Sequence, residues 1–153
     1  MSDDKRPGMS SGVIYRDPVA ALKWLEKALG FEITMVIENE DGSIGHSEMR
    51  FGDGPIYVGR EWDERHRSPA DLGGVNTQSL HFNLEDGLDA HFDRAKAAGA
   101  AVLREPADQF YGDRRYMVMD PEGHVWSFSQ TLRTMTFDEM SKAGGGLEVR
   151  DHL

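Results

Sequence analysis

Residues 79–84 alternate without a break: Leu80, Phe82 and Leu84 fall on one side, Ser79, His81 and Asn83 on the other. A period of two is that of a strand with one greasy face and one polar face. A shorter β-prone run, Ser10 to Arg16, opens the chain's first half. A helical pattern follows each of these strands. Asp17 precedes Pro18, and Ala21, Leu22, Leu25, Ala28 and Leu29 then recur at helical spacing until Gly30; Leu88, Phe92 and Ala95 do the same until Gly99. Asp before, Pro at the first position and Gly after are the usual start and stop signals of a helix.

Three further strands are expected behind each helix. In the first half these are Glu32 to Glu38, with Ile33, Met35 and Ile37 on one face; His46 to Phe51 beyond an Asp41-Gly42 turn; and Ile56 to Val58 beyond Gly52-Asp53-Gly54. In the second half they are Ala101 to Leu103, Arg115 to Met119 and His124 to Gln130. Asp120-Pro-Glu-Gly123 joins the last two with the residues a type I turn favours. One shift of 69 positions, without a gap, lays Asp17 on Asp86, Gly30 on Gly99 and Gly54 on Gly123. A single unit used twice is the simplest reading.

The expected organisation is a disordered start over 1–9, a first module over about 10–60, a polar linker over 61–78, a second module over 79–130, and a tail over 131–153. Thr136 and Glu139 have capping-box spacing, so the tail is expected to hold a short helix.

Charge and composition narrow the chemistry. Among 153 residues, 17 Lys and Arg face 27 Asp and Glu, a net charge of −10, which speaks against a nucleic-acid or anionic-membrane partner. There is no cysteine, so disulfides, thiolate zinc sites and cysteine nucleophiles are excluded, and any metal must be held by His, Asp or Glu. The start has no apolar core of a secretory signal, and no stretch approaches the roughly 20 apolar residues of a membrane span. A cytoplasmic location is the expectation. Gly-x-Ser-x-Gly, Walker, Gly-x-Gly-x-x-Gly and His-Glu-x-x-His patterns are absent.

Asp17-Pro-Val-Ala-Ala-Leu with Leu29-Gly30-Phe31, and above all Tyr111-Gly-Asp-Arg-Arg-Tyr116 followed by Asp120-Pro-Glu-Gly-His-Val-Trp-Ser-Phe128, resemble the vicinal oxygen chelate superfamily. That group contains glyoxalase I, bleomycin-resistance proteins and extradiol dioxygenases, and the likeness is to its small glyoxalase-like branch. The resemblance implies an α+β fold: two tandem βαβββ modules whose mixed sheet curls into a cup with helices outside, commonly in a homodimer. Metal-dependent members place a His or Gln on the first strand of each module and a Glu on the last. Carried over by position, these sites fall at about Ser10, Ser79, Val58 and Ser127. None is a ligand of the expected type, so the usual metal site is expected to be absent.

The candidate ligand-binding residues follow from the strand faces. Ser79, His81 and Asn83 share the polar face of one strand, and Ser127 should join them from the last. His46, Glu48 and Arg50 form a row on another strand; with His81, His46 and Glu48 are the only alternative metal set, for one divalent ion. Otherwise that row is a solvated face. Arg115 can meet an anionic or aromatic ligand, or is plain surface charge. Trp62 and Tyr111, both in loops, are candidates for gripping a flat ligand from the rim. Trp126 and Phe128 should pack as core beneath the helices. If catalysis occurs, Glu48 or His81 is the candidate general base. The residues thus leave three classes: a metal-independent protein binding or sequestering a small organic molecule, a metal-dependent lyase, isomerase or dioxygenase acting on vicinal oxygens, and an interaction module with a plugged cup.

Overall fold

A computed structural model describes residues 6–153. The first five residues of the start expected to be disordered lie outside the described ones. The first module runs β1 (Ser11–Tyr15), α1 (Pro18–Trp24) continuing into a π-helical turn (Leu25–Leu29), β2 (Glu32–Glu38), β3 (Ile44–Phe51) and β4 (Gly54–Arg60). The second runs β5 (Ser79–Leu84), α2 (Leu88–Ala97), β6 (Ala101–Asp108), β7 (Asp113–Met119) and β8 (Val125–Thr131), and α3 (Phe137–Ala143) follows. Two four-stranded mixed sheets result, ordered β1-β4-β3-β2 and β5-β8-β7-β6, each with its first and last strands parallel. This is the α+β duplication the sequence announces, with both sheets open.

Local chemistry explains the helices. The Asp17 side chain accepts from the Ala20 amide at 3.1 Å, Pro18 occupies the first turn, and Gly30 closes the helix at φ +75°. In the second module the equivalence of Asp86 with Asp17 fails at the cap. Gly87 stands where the first module has Pro18, and its left-handed φ of +71° makes it the N-cap itself. The free Leu88 amide donates instead to Gln130 Oε1 at 3.0 Å. Leu88, Phe92 and Ala95 are buried, as are Leu22, Leu25, Ala28 and Leu29.

These stripes share one core. Trp126, Phe128, Tyr116, Val118, Val13, Ile56 and Val58 are all fully buried in it. Phe31 spans the module boundary, its ring centroid 5.3 Å from Phe51, 5.2 Å from Phe82 and 5.4 Å from Trp126. Each buried aromatic removes about 150–250 Å² from water, so this junction contributes much of the drive to join the modules.

Polar bonds fix how they join. His91 Nε2–H donates to the Leu29 carbonyl at 2.7 Å, which leaves Nδ1 to accept from the Tyr116 hydroxyl at 2.5 Å. His124 Nε2–H donates to the Ile14 carbonyl at 2.6 Å. Glu122 accepts from the Arg16 amide at 2.6 Å, the Asp17 amide at 3.0 Å and the Ser68 hydroxyl at 2.6 Å, which clasps the 61–78 segment to both modules. That segment carries a 3-10 turn, Pro69–Asp71, capped by Ser68.

Two registers differ from the sequence reading. Ile33 pairs with Met49 but Met35 pairs with Glu48, so a bulge between them puts Ile33 on the helix side and Met35 and Ile37 on the other face. The gapless shift of 69 also breaks at the last hairpin. Arg50 pairs with Pro55 across four intervening residues, whereas its equivalent Met119 pairs with Val125 across five. That extra residue moves the equivalent of Ser127 from Val58 to Tyr57. Val58 is fully buried on the helix side.

Candidate functional site

The non-helix face of the second sheet carries the residues singled out by alternation. On β5 it presents Ser79, His81 and Asn83; their partners on β8 are Val125, Ser127 and Ser129, and beyond these on β7 lie Met119, Met117 and Arg115. The polar rows converge. Ser127 Oγ lies 3.0 Å from His81 Nδ1 and accepts from Arg115 Nε at 2.8 Å, while Ser129 Oγ lies 3.0 Å from His81 Nε2. Both serines are nearly fully buried, at 1% and 2% exposure, under the side chains that bind them. The Ser79-Val125-Met119 row is largely apolar, so the wall grades from a greasy end to a hydroxyl and guanidinium end.

Burial lowers the His81 pKa below its usual value, and the neighbouring Arg115 charge lowers it further. The neutral imidazole then donates from one nitrogen and accepts at the other, so each serine hydroxyl finds a partner. Arg115 differs from its neighbour Arg114, which is tied to Asp89 at 3.0 Å and to Asp108 at 2.6 Å. Among the described residues no carboxylate pairs with Arg115.

The corresponding face of the first sheet carries His46, Glu48 and Arg50 on β3 and Tyr57 and Gly59 on β4. His46 Nε2 and Glu48 Oε1 lie 2.9 Å apart, and the His46 ring meets Tyr57 edge-on at 5.2 Å. Arg50 is drawn away from the row by Glu32, at 2.8 Å. His81 is held by serines of the other sheet, so the His46, Glu48 and His81 set does not assemble; no three His, Asp or Glu side chains come together in a metal-binding arrangement among the described residues.

With the shifted register, the positions to which the resemblance assigns metal ligands are Ser10, Tyr57, Ser79 and Ser127. Hydroxyls and a phenol do not suit a divalent cation, and the Ser127 hydroxyl is already engaged by a guanidinium and an imidazole. The donor set does not fit a metal.

The rim candidates stand apart. Trp62 is 66% exposed and stacks on His66 with centroids 4.1 Å apart, and Asp63 orients that imidazole at 2.8 Å. Tyr111 sits in the turn between β6 and β7, edge-on to Phe110 at 5.3 Å. A hollow of about 460 Å³ lies at the start of β5, lined by Ser79, His81 and Asn83 together with Phe51, Ile56 and Phe82. A more open one of about 530 Å³ lies outside α2, but its cation, Arg114, is already neutralised by Asp89 and Asp108.

Sequence reasoning missed Ser129, Tyr57 and the two methionines of the wall. Ser129 was legible, since it follows Ser127 at strand spacing. Tyr57 was hidden by the extra hairpin residue.

The Glyoxalase/Bleomycin resistance protein/Dioxygenase superfamily matches residues 11–128. The uncharacterized protein Mb0911c of Mycobacterium bovis is 29% identical over 147 residues, covering 94% of this chain and 95% of its own. Among solved structures, TioX from Micromonospora sp. ML1 is 30% identical, with TM-score 0.65 over 83% of this chain and all of that one. A glyoxalase/bleomycin resistance protein from Streptomyces sp. CB03234, 20% identical over 79% of this chain and 97% of its own with TM-score 0.61, shares the fold. The duplicated βαβββ architecture, and the span over which it matches, make this chain a member of the Glyoxalase/Bleomycin resistance protein/Dioxygenase superfamily.

Proposed function

We propose that this protein binds or sequesters a small organic molecule on the inward wall of its sheets, without a metal ion, and works as a cytoplasmic homodimer with neither nucleic acid nor membrane as partner. One observation carries the reading: at the superfamily's ligand positions the chain has Ser127 locked between His81 and Arg115, a polar surface that solvates a ligand rather than a cation. On the second sheet the wall presents serines, methionines, Val125, His81, Asn83 and Arg115 rather than the large aromatic side chains that would plug a cup, and Tyr57 faces inward on the first sheet. Recognition sites of this kind pair apolar surface with a few placed polar groups, as Met117, Met119 and Val125 do here beside His81, Arg115 and Asn83.

The test uses 8-anilinonaphthalene-1-sulfonate as a reporter on chelator-treated protein. Its fluorescence should rise without added metal and fall back in Ser127→Trp, which fills the middle of the wall. A dye signal that requires Zn, Ni, Mn or Fe, or that Ser127→Trp leaves untouched, overturns the reading.

A further inference from the structure

We infer that the ligand carries a carboxylate on an apolar, preferably aromatic, body, and that Arg115 is the residue that selects it. This rests on the wall being the binding surface, as proposed above. The geometry of the guanidinium carries the argument. Arg115 Nε–H is spent on Ser127 Oγ at 2.8 Å, which fixes the plane of the group and leaves its two terminal nitrogens as an end-on fork. Such a fork matches the two oxygens of a carboxylate, and no carboxylate of this chain answers it among the described residues. In a protein of net charge −10, an arginine left unpaired on a partly buried wall is available for an incoming anion. Asp113 shares its face two residues away, and no ion pair joins the two.

The surroundings define the rest of the molecule. Arg115 is flanked across the ladder by Ala107 on β6 and Ser129 on β8, and the His81 imidazole, which shares Ser127 with it, lies on its other side. Met117 and Met119 follow on the same face at about 7 and 14 Å along the strand, with Val125 beside Met119. Thioethers adapt to flat rings and make favourable sulfur–aromatic contacts. Ser127 and Ser129, through His81, are positioning residues: they hold the wall's polar atoms in place and leave the charge to Arg115.

The test compares 2-naphthoate with 2-naphthamide, neutral and nearly the same shape, by titration calorimetry and by backbone amide shifts. Naphthoate should bind about tenfold or more tighter than naphthamide to the unaltered protein, with shifts at Arg115, Met117 and Ser127. Arg115→Gln should erase the difference, and Arg115→Lys, a point charge without a fork, should recover only part of it. If both compounds bind equally and Ser127→Trp blocks both, the carboxylate assignment falls while the wall remains a binding surface. If neither binds, or if both bind irrespective of Ser127→Trp, both readings fall.

Discussion

The Tyr15 hydroxyl donates to Asp120 Oδ2 at 2.6 Å, a bond that spans 105 residues and ties the first strand of one module to the last hairpin of the other. The same oxygen accepts from Trp126 Nε1 at 3.0 Å, and Oδ1 accepts from the amides of Glu122 and His124, each at 3.0 Å. Asp120 is only 3% exposed, so its charge is carried by four donors. Burial, then Asp120 itself, pushes the Tyr15 phenol far above its usual pKa, which keeps the proton in the bond at all ordinary pH.

Asp120→Ala should therefore cost about 3–5 kcal/mol, because it strands several buried donors at once, and Tyr15→Phe about 1.5–3 kcal/mol, the worth of one bond to a charged acceptor. Urea unfolding followed by tryptophan fluorescence measures both. An Asp120→Ala protein within 1 kcal/mol of the parent would mean that the hairpin's own turn, not this carboxylate, holds the module junction.

The shifted register at the last strand of the first module is open to test by paired substitution. Val58→Asp places an unpaired charge in the sealed core and should destabilise by more than about 3 kcal/mol, or prevent folding. Tyr57→Asp, on the opposite face beside Glu48, should fold. The reverse pattern of thermal stabilities would restore the gapless register and return Val58 to the inward wall.

What was legible in the sequence follows from this same case. Periodicity of two and of 3.6 reports which face a side chain takes within an element, so Leu80 and Phe82 could be put on the greasy face and Ser79, His81 and Asn83 on the polar one locally, whereas the inward face of Ser127, and with it the core places of Trp126 and Phe128, came from the family resemblance. Register between elements depends on loop length, and one added residue in the Asp120–His124 turn reverses every face after it. Contacts between modules leave no periodic trace. His91 falls on a helix and shows nothing in sequence of its bond to the Leu29 carbonyl, which exists only once the modules pack. Likewise nothing in the sequence says that Arg114 is neutralised by Asp89 and Asp108 while Arg115 is not.

The two partly buried histidines give the fold a pH dependence. His81 and His91 both have pKa values lowered chiefly by burial, aided at His81 by Arg115 and at His91 by Arg94. In the unfolded chain both regain the ordinary value near 6.5, so below that pH the unfolded state binds more protons than the folded one. Stability from these groups is thus present above pH 6.5 and is lost as pH falls toward their folded values. Carbon-13 detected imidazole titrations should place both midpoints below 6.5, and Arg115→Gln should raise that of His81 while leaving His91 unchanged. A His81 midpoint above 6.5 would mean that the ring is protonated against a carboxylate rather than held neutral between serines.

The last expectation concerns assembly. Strand β2 is exposed along its whole length, with Ile33, Met35, Val36 and Ile37 between 39% and 51% exposed, and β6 leaves Val102 and Leu103 at 36% and 45%. Both are edge strands with an open backbone ladder. Folded proteins seldom leave contiguous apolar surface on an unguarded edge; Arg104, Glu105 and Pro106 blunt β6, whereas Ile33 to Ile37 of β2 carry neither charge nor proline. A second copy of the chain is the occupant expected to cover the β2 edge. Light scattering of the unaltered protein should give twice the mass of the chain. Met35→Lys with Ile37→Lys should halve that mass while leaving the unfolding midpoint of the resulting monomer within reach of measurement, since exposed positions tolerate charge. A monomeric parent, or a double variant that keeps the doubled mass, would show that these strands face water.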